Sequence, residues 1–316
     1  MEYRKLGKTD LDVAPIAFGG NVFGWTIDEK TSFELLDAFT EKGFNLIDTA
    51  DVYSRWKPGN TGGESETIIG NWIKSRGNRN KVVIATKVGA DMGQGKKDLA
   101  KAYILKAVED TLRRLQTDHI DLYQTHWDDD TTPVEETLEA YAKLVADGKV
   151  RWIGASNLTP ARLKASLAAS NQFQYPIYQT FQPGYNLYDR QDFEQELQQI
   201  CVENGIGVIS YYSLASGFLT GKYRSQADLG KSVRGGGVGK YLTPKGFDIL
   251  KALDQVAARY NATPASISLA WLMARPAIVA PIASATKIEQ LNDFATAAEI
   301  HLEAADMQLL DEASAW

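Results

Sequence analysis

Asn45-Leu46-Ile47-Asp48-Thr49-Ala50-Asp51-Val52-Tyr53 is the stretch whose reading decides the fold. It opens as an apolar strand that runs straight into an acid, and five positions after that acid comes a phenol. A strand ending in a carboxylate, followed by a loop with a tyrosine, is how a rigid scaffold presents acid/base groups. Moving outward from it, other apolar runs end in the same way. The run 82–86 ends at Lys87, 120–125 at His126, and 150–155 at Ser156-Asn157. The run 177–181 ends at Gln182, and 207–210 at Tyr211-Tyr212. Two further runs, 16–20 and 278–282, make eight.

Between these runs the period changes to that of a helix. In 32–42, Phe33, Leu36 and Phe39 share one side, and in 99–115 a stripe is formed by Ile104, Val108, Leu112 and Leu115. Segments 65–75, 133–146, 192–203, 247–260, 265–274 and 288–298 also read as helices, and another opens at Thr159-Pro160. The strands are nearly continuous apolar runs, as parallel strands covered on both faces are. Eight strands alternating with helices, with no linker or shift in composition, predict an α/β fold. The expectation is one (β/α)8 TIM barrel domain over residues 1–316, not an open doubly wound sheet. Residues 3–14 alternate about Gly7-Lys8-Thr9-Asp10 and predict an N-terminal β-hairpin, and 307–313 an extra C-terminal helix. Segment 215–243 is too long for an ordinary connection and is expected to be a functional loop.

Composition narrows the class of protein. With 44% hydrophobic and 23% charged residues, the chain can bury a sizeable core. A net charge of −6 argues against a nucleic-acid partner, though not against a small basic pocket. The lone Cys201 excludes an internal disulfide and reads as a buried structural thiol in a reducing compartment. Neither a leader-like apolar segment after Met1 nor a bilayer-length apolar run is present, so a cytoplasmic protein without membrane association is expected.

In a barrel, the carboxyl ends of the strands form the face that carries the site. Here those ends hold Asp48 with Tyr53, Lys87, His126, Ser156 with Asn157, Gln182 and Tyr211. Each has an ordinary reading by itself: a turn acid, an exposed lysine, a half-buried histidine, a helix cap, rim packing. Jointly, polar groups able to move a proton or form a hydrogen bond end nearly every strand.

Asp48-Thr49-Ala50-Asp51-Val52-Tyr53, Ala85-Thr86-Lys87-Val88 and Gln124-Thr125-His126-Trp127 resemble the aldo-keto reductase family, in the family's order. Gly154-Ala155-Ser156-Asn157, Gln182-Pro183-Gly184-Tyr185-Asn186 and Leu219-Thr220-Gly221-Lys222-Tyr223 extend the resemblance, which runs from the hairpin to about residue 291. The resemblance implies a catalytic tetrad. Tyr53 would be the general acid for a carbonyl oxygen while NAD(P)H delivers hydride. Lys87 would lower the pKa of that phenol, Asp48 would hold Lys87, and His126 would orient the substrate oxygen.

It also implies a cofactor site. Ser156, Asn157 and Gln182 would bind the nicotinamide carboxamide, and Tyr211 would stack on the ring. Ser213, Leu214, Ser216 and Lys222 would wrap the pyrophosphate, and Arg234 would meet the adenosine 2′-phosphate. Ser284, Thr286, Gln290 and Asp293 fall on the adenosine segment. The arginine or lysine that many family members carry in that last segment is replaced by Thr286 and Gln290, with Lys287 adjacent, so NADPH is expected and NADH stays open. Trp25 and Trp127 are expected to line the pocket for a small carbonyl or sugar substrate.

Other patterns fail. Segment 234–241 evokes a phosphate loop, yet it lacks the first glycine and the final Ser or Thr of a Walker A motif. Asp128-Asp129-Asp130 reads as a solvated acidic loop before a helix, and no metal is expected. Two rival functions stand beside the reductase: a cofactor-binding redox sensor or regulatory subunit with slow turnover, and a Schiff-base lyase using Lys87. No interface signature selects an oligomeric state.

Overall fold

The computed structural model describes residues 1–316. A hairpin of β1 (Arg4–Lys5) and β2 (Asp12–Val13) comes first, paired antiparallel with Arg4 opposite Val13. Eight parallel strands follow: β3 (Ala17–Gly19), β4 (Leu46–Asp48), β5 (Val83–Val88), β6 (Ile120–Thr125), β7 (Val150–Ser156), β8 (Thr180–Gln182), β9 (Gly207–Val208) and β10 (Ile282–Ala283). They neighbour one another in chain order, with β10 returning to β3.

The ring closes through the segment that leads into β10. Val208 N–H donates to Ala277 O, Val279 N–H to Val208 O, and Ile282 N–H to Ser210 O, each at 2.8 Å. On its other side, Ile282 pairs with Ala17. Sequence periodicity places the last strand at 278–282. The regular ladder covers only Ile282–Ala283, because Pro281 lacks an N–H and the preceding residues bond to β9 singly.

Helices cover the outside: α1 (Glu29–Glu41), α2 (Glu64–Arg76), α3 (Lys101–Leu115), α4 (Val134–Ala146), α5 (Pro160–Phe173), α6 (Gln198–Asn204), α7 (Pro244–Tyr260), α8 (Pro264–Met273), α9 (Leu291–Ala297) and α10 (Ala304–Ala313). Local chemistry sets their starts. Thr159, Thr243 and Thr263 accept from the N–H three residues on, and each is followed by proline at the first helical position. The helix expected at 192–203 begins with a π turn, Phe193–Leu197, before α6. The 215–243 segment is built from four short 3-10 turns, Ala215–Thr220, Gln226–Lys231, Gly235–Gly237 and Gly239–Tyr241.

Two apolar clusters follow from the alternation of side chains along each strand. Leu46, Val83, Ala85 and Leu122 point into the barrel, where Leu6, Leu11 and Val13 of the hairpin plug the lower end. Ile47, Ile84, Val88 and Tyr123 point outward into the helix layer with Trp72, Tyr141 and Trp271. The plug is tightly seated. Gly7, at φ +66°, lies so close that a Cβ would come within 2.2 Å of Gln179 O. No helix is long and apolar enough to cross a membrane.

Candidate active site

The alternation that fills the barrel also aims the polar groups. In β4, Leu46 and Asp48 share the inner face, and in β5 so do Val83, Ala85 and Lys87. Leu122, Gln124 and His126 are likewise two apart, as are Thr180 and Gln182. An apolar lower layer is thus capped, at the carboxyl ends of the strands, by a polar upper one.

Lys87 is the centre of that layer and is fully buried. Its ammonium donates to Asp48 Oδ2, to Thr49 O and to the Tyr53 hydroxyl, each at 2.8 Å. Three donated protons are the full complement of a charged lysine. Burial pulls the ammonium below its ordinary pKa, and Asp48 opposes that shift. Tyr53 in turn donates to Asp48 Oδ2 (3.2 Å), and the other carboxylate oxygen accepts from Gln182 Nε2 (2.9 Å).

The sequence-based expectation is a Tyr53 pKa lowered by Lys87, and the net shift runs the other way. Burial and the adjacent Asp48 carboxylate push the phenol well above its ordinary value. The lysine bond to the phenol oxygen acts in the opposite direction and is outweighed. Tyr53 therefore keeps its proton at neutral pH, the state that an acid must be in before it donates.

His126 is buried, and burial together with the Lys87 charge holds its pKa well below the ordinary value, so the imidazole is neutral. Its Nδ1 has no partner. Its edge lies across the Tyr53 ring, with centroids 6.0 Å apart. Asn157 adopts φ +54° at the end of β7 and is fixed on three sides. Its amide donates to His126 O and Ser156 Oγ, both at 2.9 Å, and accepts from the Tyr211 hydroxyl at 2.8 Å. Ser156 donates to Gln182 O (2.8 Å). Gly184 lies against the Tyr211 ring, where a Cβ would sit 3.2 Å from it, so one ring face is packed.

A cavity of about 840 Å³ opens above this layer. Asp48, Tyr53, His126, Ser156, Asn157, Gln182, Tyr211, Ser213, Leu214, Ser216, Lys222, Arg234, Ser284, Thr286, Gln290, Asp293 and Trp127 all line it. Lys87 sits beneath, behind Tyr53. Trp25 does not line the cavity. Its ring meets Trp56 edge-on at 5.5 Å, and Trp56 is the one that faces the cavity. The sequence signal for Trp56 was its place three residues after Tyr53.

Asn21 was also missed. Oriented to satisfy its neighbours, its amide nitrogen donates to Ser284 Oγ (2.8 Å) and Gly19 O (3.2 Å), and its oxygen accepts from Arg234 Nη2 (3.0 Å). The Arg234 guanidinium lies 5.3 Å above the Trp25 ring, and burial lowers its pKa. The acidic loop is another correction. Asp129 is buried, accepting from Thr131, Thr132 and Leu99 N–H, and Asp128 pairs with Arg162 at 2.8 Å. Cys201 is buried, which raises its thiol pKa to about 12.

Comparison with known proteins matches residues 15–315 to the model of the aldo/keto reductase family. The chain belongs to the aldo/keto reductase family. Among similar proteins is the uncharacterized oxidoreductase YrpG of Bacillus subtilis, 35% identical over 99% of this chain and 95% of that protein. Aldo-keto reductase YhdN of the same organism is 34% identical, over 92% and 87% respectively. A probable voltage-gated potassium channel subunit beta of Arabidopsis thaliana is 30% identical, over 95% and 92%.

Members of this family generally use nicotinamide cofactors, and the cavity of this reductase suits such a group. Its lining carries hydroxyls at Ser213, Ser216, Thr220, Ser232 and Ser284, and three cations, Lys97, Lys222 and Arg234, that form no ion pair with an acid. Unpaired cations and hydroxyls in a partly enclosed cleft are the donor set for phosphate oxygens. Three lining residues other than glycine hold left-handed backbone, Asn157 (φ 54°), Tyr212 (φ 54°) and Ser216 (φ 58°). Such conformations persist where the surroundings over-determine them, as they do at ligand clamps.

Proposed function

We propose that the protein reduces a small aldehyde or ketone to the alcohol, with NADPH as the cofactor and NADH as the alternative, and that the same site can run alcohol or sugar oxidation in reverse. The observation that carries this reading is the Lys87 ammonium donating to both Asp48 and Tyr53 at 2.8 Å beneath an open cavity. Ser156, Asn157 and Gln182 would hold the carboxamide of the cofactor, with Tyr211 against its ring. Lys222 and Arg234, with Ser213, Leu214 and Ser216, would hold the phosphates, and Ser284, Thr286, Gln290 and Asp293 the adenosine end. A bound nicotinamide supplies the hydride.

The chain's residues do the rest. The substrate carbonyl oxygen would sit between the Tyr53 hydroxyl and the neutral His126 imidazole. As negative charge develops on that oxygen, Tyr53 gives it a proton. The resulting phenolate is met by the Lys87 ammonium, whose charge was already balanced by Asp48, so little reorganisation is needed. Trp56 and Trp127 would shield the reacting carbon from water.

A second reading, a cofactor-binding subunit with slow turnover, has one observation in its favour, the likeness to a probable channel β subunit. Turnover separates the two. Tryptophan fluorescence is titrated with NADPH and NADH in parallel, and absorbance decay is then followed at saturating cofactor with an activated aldehyde. Tight binding with turnover of the order of 1 s⁻¹ or faster supports the reductase. Tight binding with no turnover over a range of carbonyls transfers the case to the second reading, and binding of neither nucleotide defeats both.

A further inference from the structure

Asp51 lies three residues after Asp48 and two before Tyr53, in the loop that carries both, and its N–H donates to Lys87 O (3.3 Å). Its side chain is 2% exposed, and neither carboxyl oxygen has a hydrogen-bond partner. That is rare for a buried polar group and calls for an explanation. The side chain leaves the barrel interior for the layer between strands and helices. There the charged and titratable groups coupled to it are Glu66 of α2, Arg114 and Tyr103 of α3, Tyr123 of β6 and Tyr141 of α4, with Lys87 of β5 acting on it more weakly than Glu66 or Arg114.

None of these gives it a counter-ion of its own. Arg114 is committed to Glu66, with Nε donating to Oε2 at 2.7 Å, and the other Glu66 oxygen accepts from Thr86 at 2.5 Å. Lys87 has all three protons engaged elsewhere. The Tyr123 hydroxyl is also buried without a partner. An ionised carboxylate in this place would be desolvated, unpaired and beside the Glu66 charge, which is the costly arrangement. Burial, then Glu66, raise its pKa to about 8.

We infer that Asp51 is a positioning residue: un-ionised, it leaves Lys87 shared between Asp48 and Tyr53, and ionised, it draws on the Lys87 charge and shuts the site down. The effect acts through Lys87 and not on the substrate. A second negative charge near the ammonium makes Tyr53 hold its proton more tightly, and the catalytic loop must accommodate a buried, unpaired anion. The inference rests on the reductase reading above.

The test is the pH profile of kcat for the wild-type enzyme and Asp51→Asn, with saturating NADPH and an activated aldehyde, each normalised to its own plateau. The expected result is a wild-type profile that falls above about pH 8, approaching tenfold per unit, and an Asp51→Asn plateau extended by at least about one unit. An unchanged alkaline limb in Asp51→Asn would assign that limb to Lys87 and overturn the inference. Infrared spectroscopy of the wild-type protein supplies a readout without a variant or turnover. A carbonyl stretch from an un-ionised carboxylic acid should be present near about pH 7 and lost by about pH 10. Its absence at neutral pH would overturn the inference, whether or not Asp51→Asn folds. A titrating band in a protein without turnover would defeat the reductase reading while upholding the neutral buried acid.

Discussion

Lys87 and Asp48 form an ion pair with essentially no exposure to water, 0% and 1% for the two side chains. A pair buried to this degree gains little over an apolar isostere, yet breaking it is costly because one charge is left behind. Lys87→Met should therefore lower unfolding free energy by about 3–5 kcal/mol in urea titrations, and adding Asp48→Asn should recover part of the loss. Tyr53→Phe removes only the phenol oxygen. It should cut kcat by at least roughly 10²–10⁴, the worth of general acid catalysis, while NADPH affinity by fluorescence stays within a fewfold. Retained turnover would remove Tyr53 from the role of acid. His126 gives a pH prediction with a definite sign. Its folded-state pKa is depressed, so below the unfolded value near 6.5 the unfolded chain takes up a proton that the folded chain refuses. Its stabilising contribution is full above about pH 6.5 and is lost as pH falls, by up to about 1.4 kcal/mol per unit. Denaturant titrations between about pH 7 and 5 should show that slope, flattened in His126→Gln.

At the scale of elements, what the sequence made legible follows from how each strand is buried. β5, β6 and β7 have long apolar runs that are visible in one dimension, and the period of two along β4, β5 and the β6 end aligns Asp48, Lys87 and His126 with the barrel interior. β9 and β10 have only two paired residues each, and the closing contacts are single hydrogen bonds across Val208 and Ile282, which no periodicity announces. Contacts made by loops folding back were just as hidden. Trp56 in place of Trp25 at the cavity, Asn21 beneath Arg234, and the burial of Asp129 all depend on tertiary approach and not on spacing. The sign of the Tyr53 shift was hidden for the same reason, since it depends on how completely the phenol is desolvated. The 215–243 segment is tethered at its far end by Thr243, whose hydroxyl caps α7 at Gly246 N–H (3.1 Å) and meets the Tyr188 hydroxyl at 3.0 Å. Thr243→Ala should cost about 1 kcal/mol in stability. If the segment wraps the cofactor, the same substitution should raise the dissociation constant for NADPH more than the KM for an aldehyde.

For the whole molecule, the barrel supplies a rigid floor and the cavity above it draws on residues from Gly19 to Phe294, so a ligand filling it would link distant parts of the chain. Ligand binding to the folded state alone stabilises by mass action, about 2.7 kcal/mol at 100 times the dissociation constant. For a chain of this length that corresponds to roughly 3–6 °C in Tm, measurable by thermal shift with NADPH and NADH in parallel. The two nucleotides differ only in the 2′-phosphate, so the comparison locates the work of Arg234. Its guanidinium is held between Trp25 and Asn21, and Asn21 in turn reaches Ser284, which is proposed above for the adenosine end. If Arg234 meets the 2′-phosphate, Arg234→Ala reduces the NADPH shift to that of NADH and leaves the NADH shift alone. If it lies over the pyrophosphate, both shifts fall together. Lys287, adjacent to Thr286, would then be the remaining cation for the 2′-phosphate, and Lys287→Ala should remove the difference between the nucleotides.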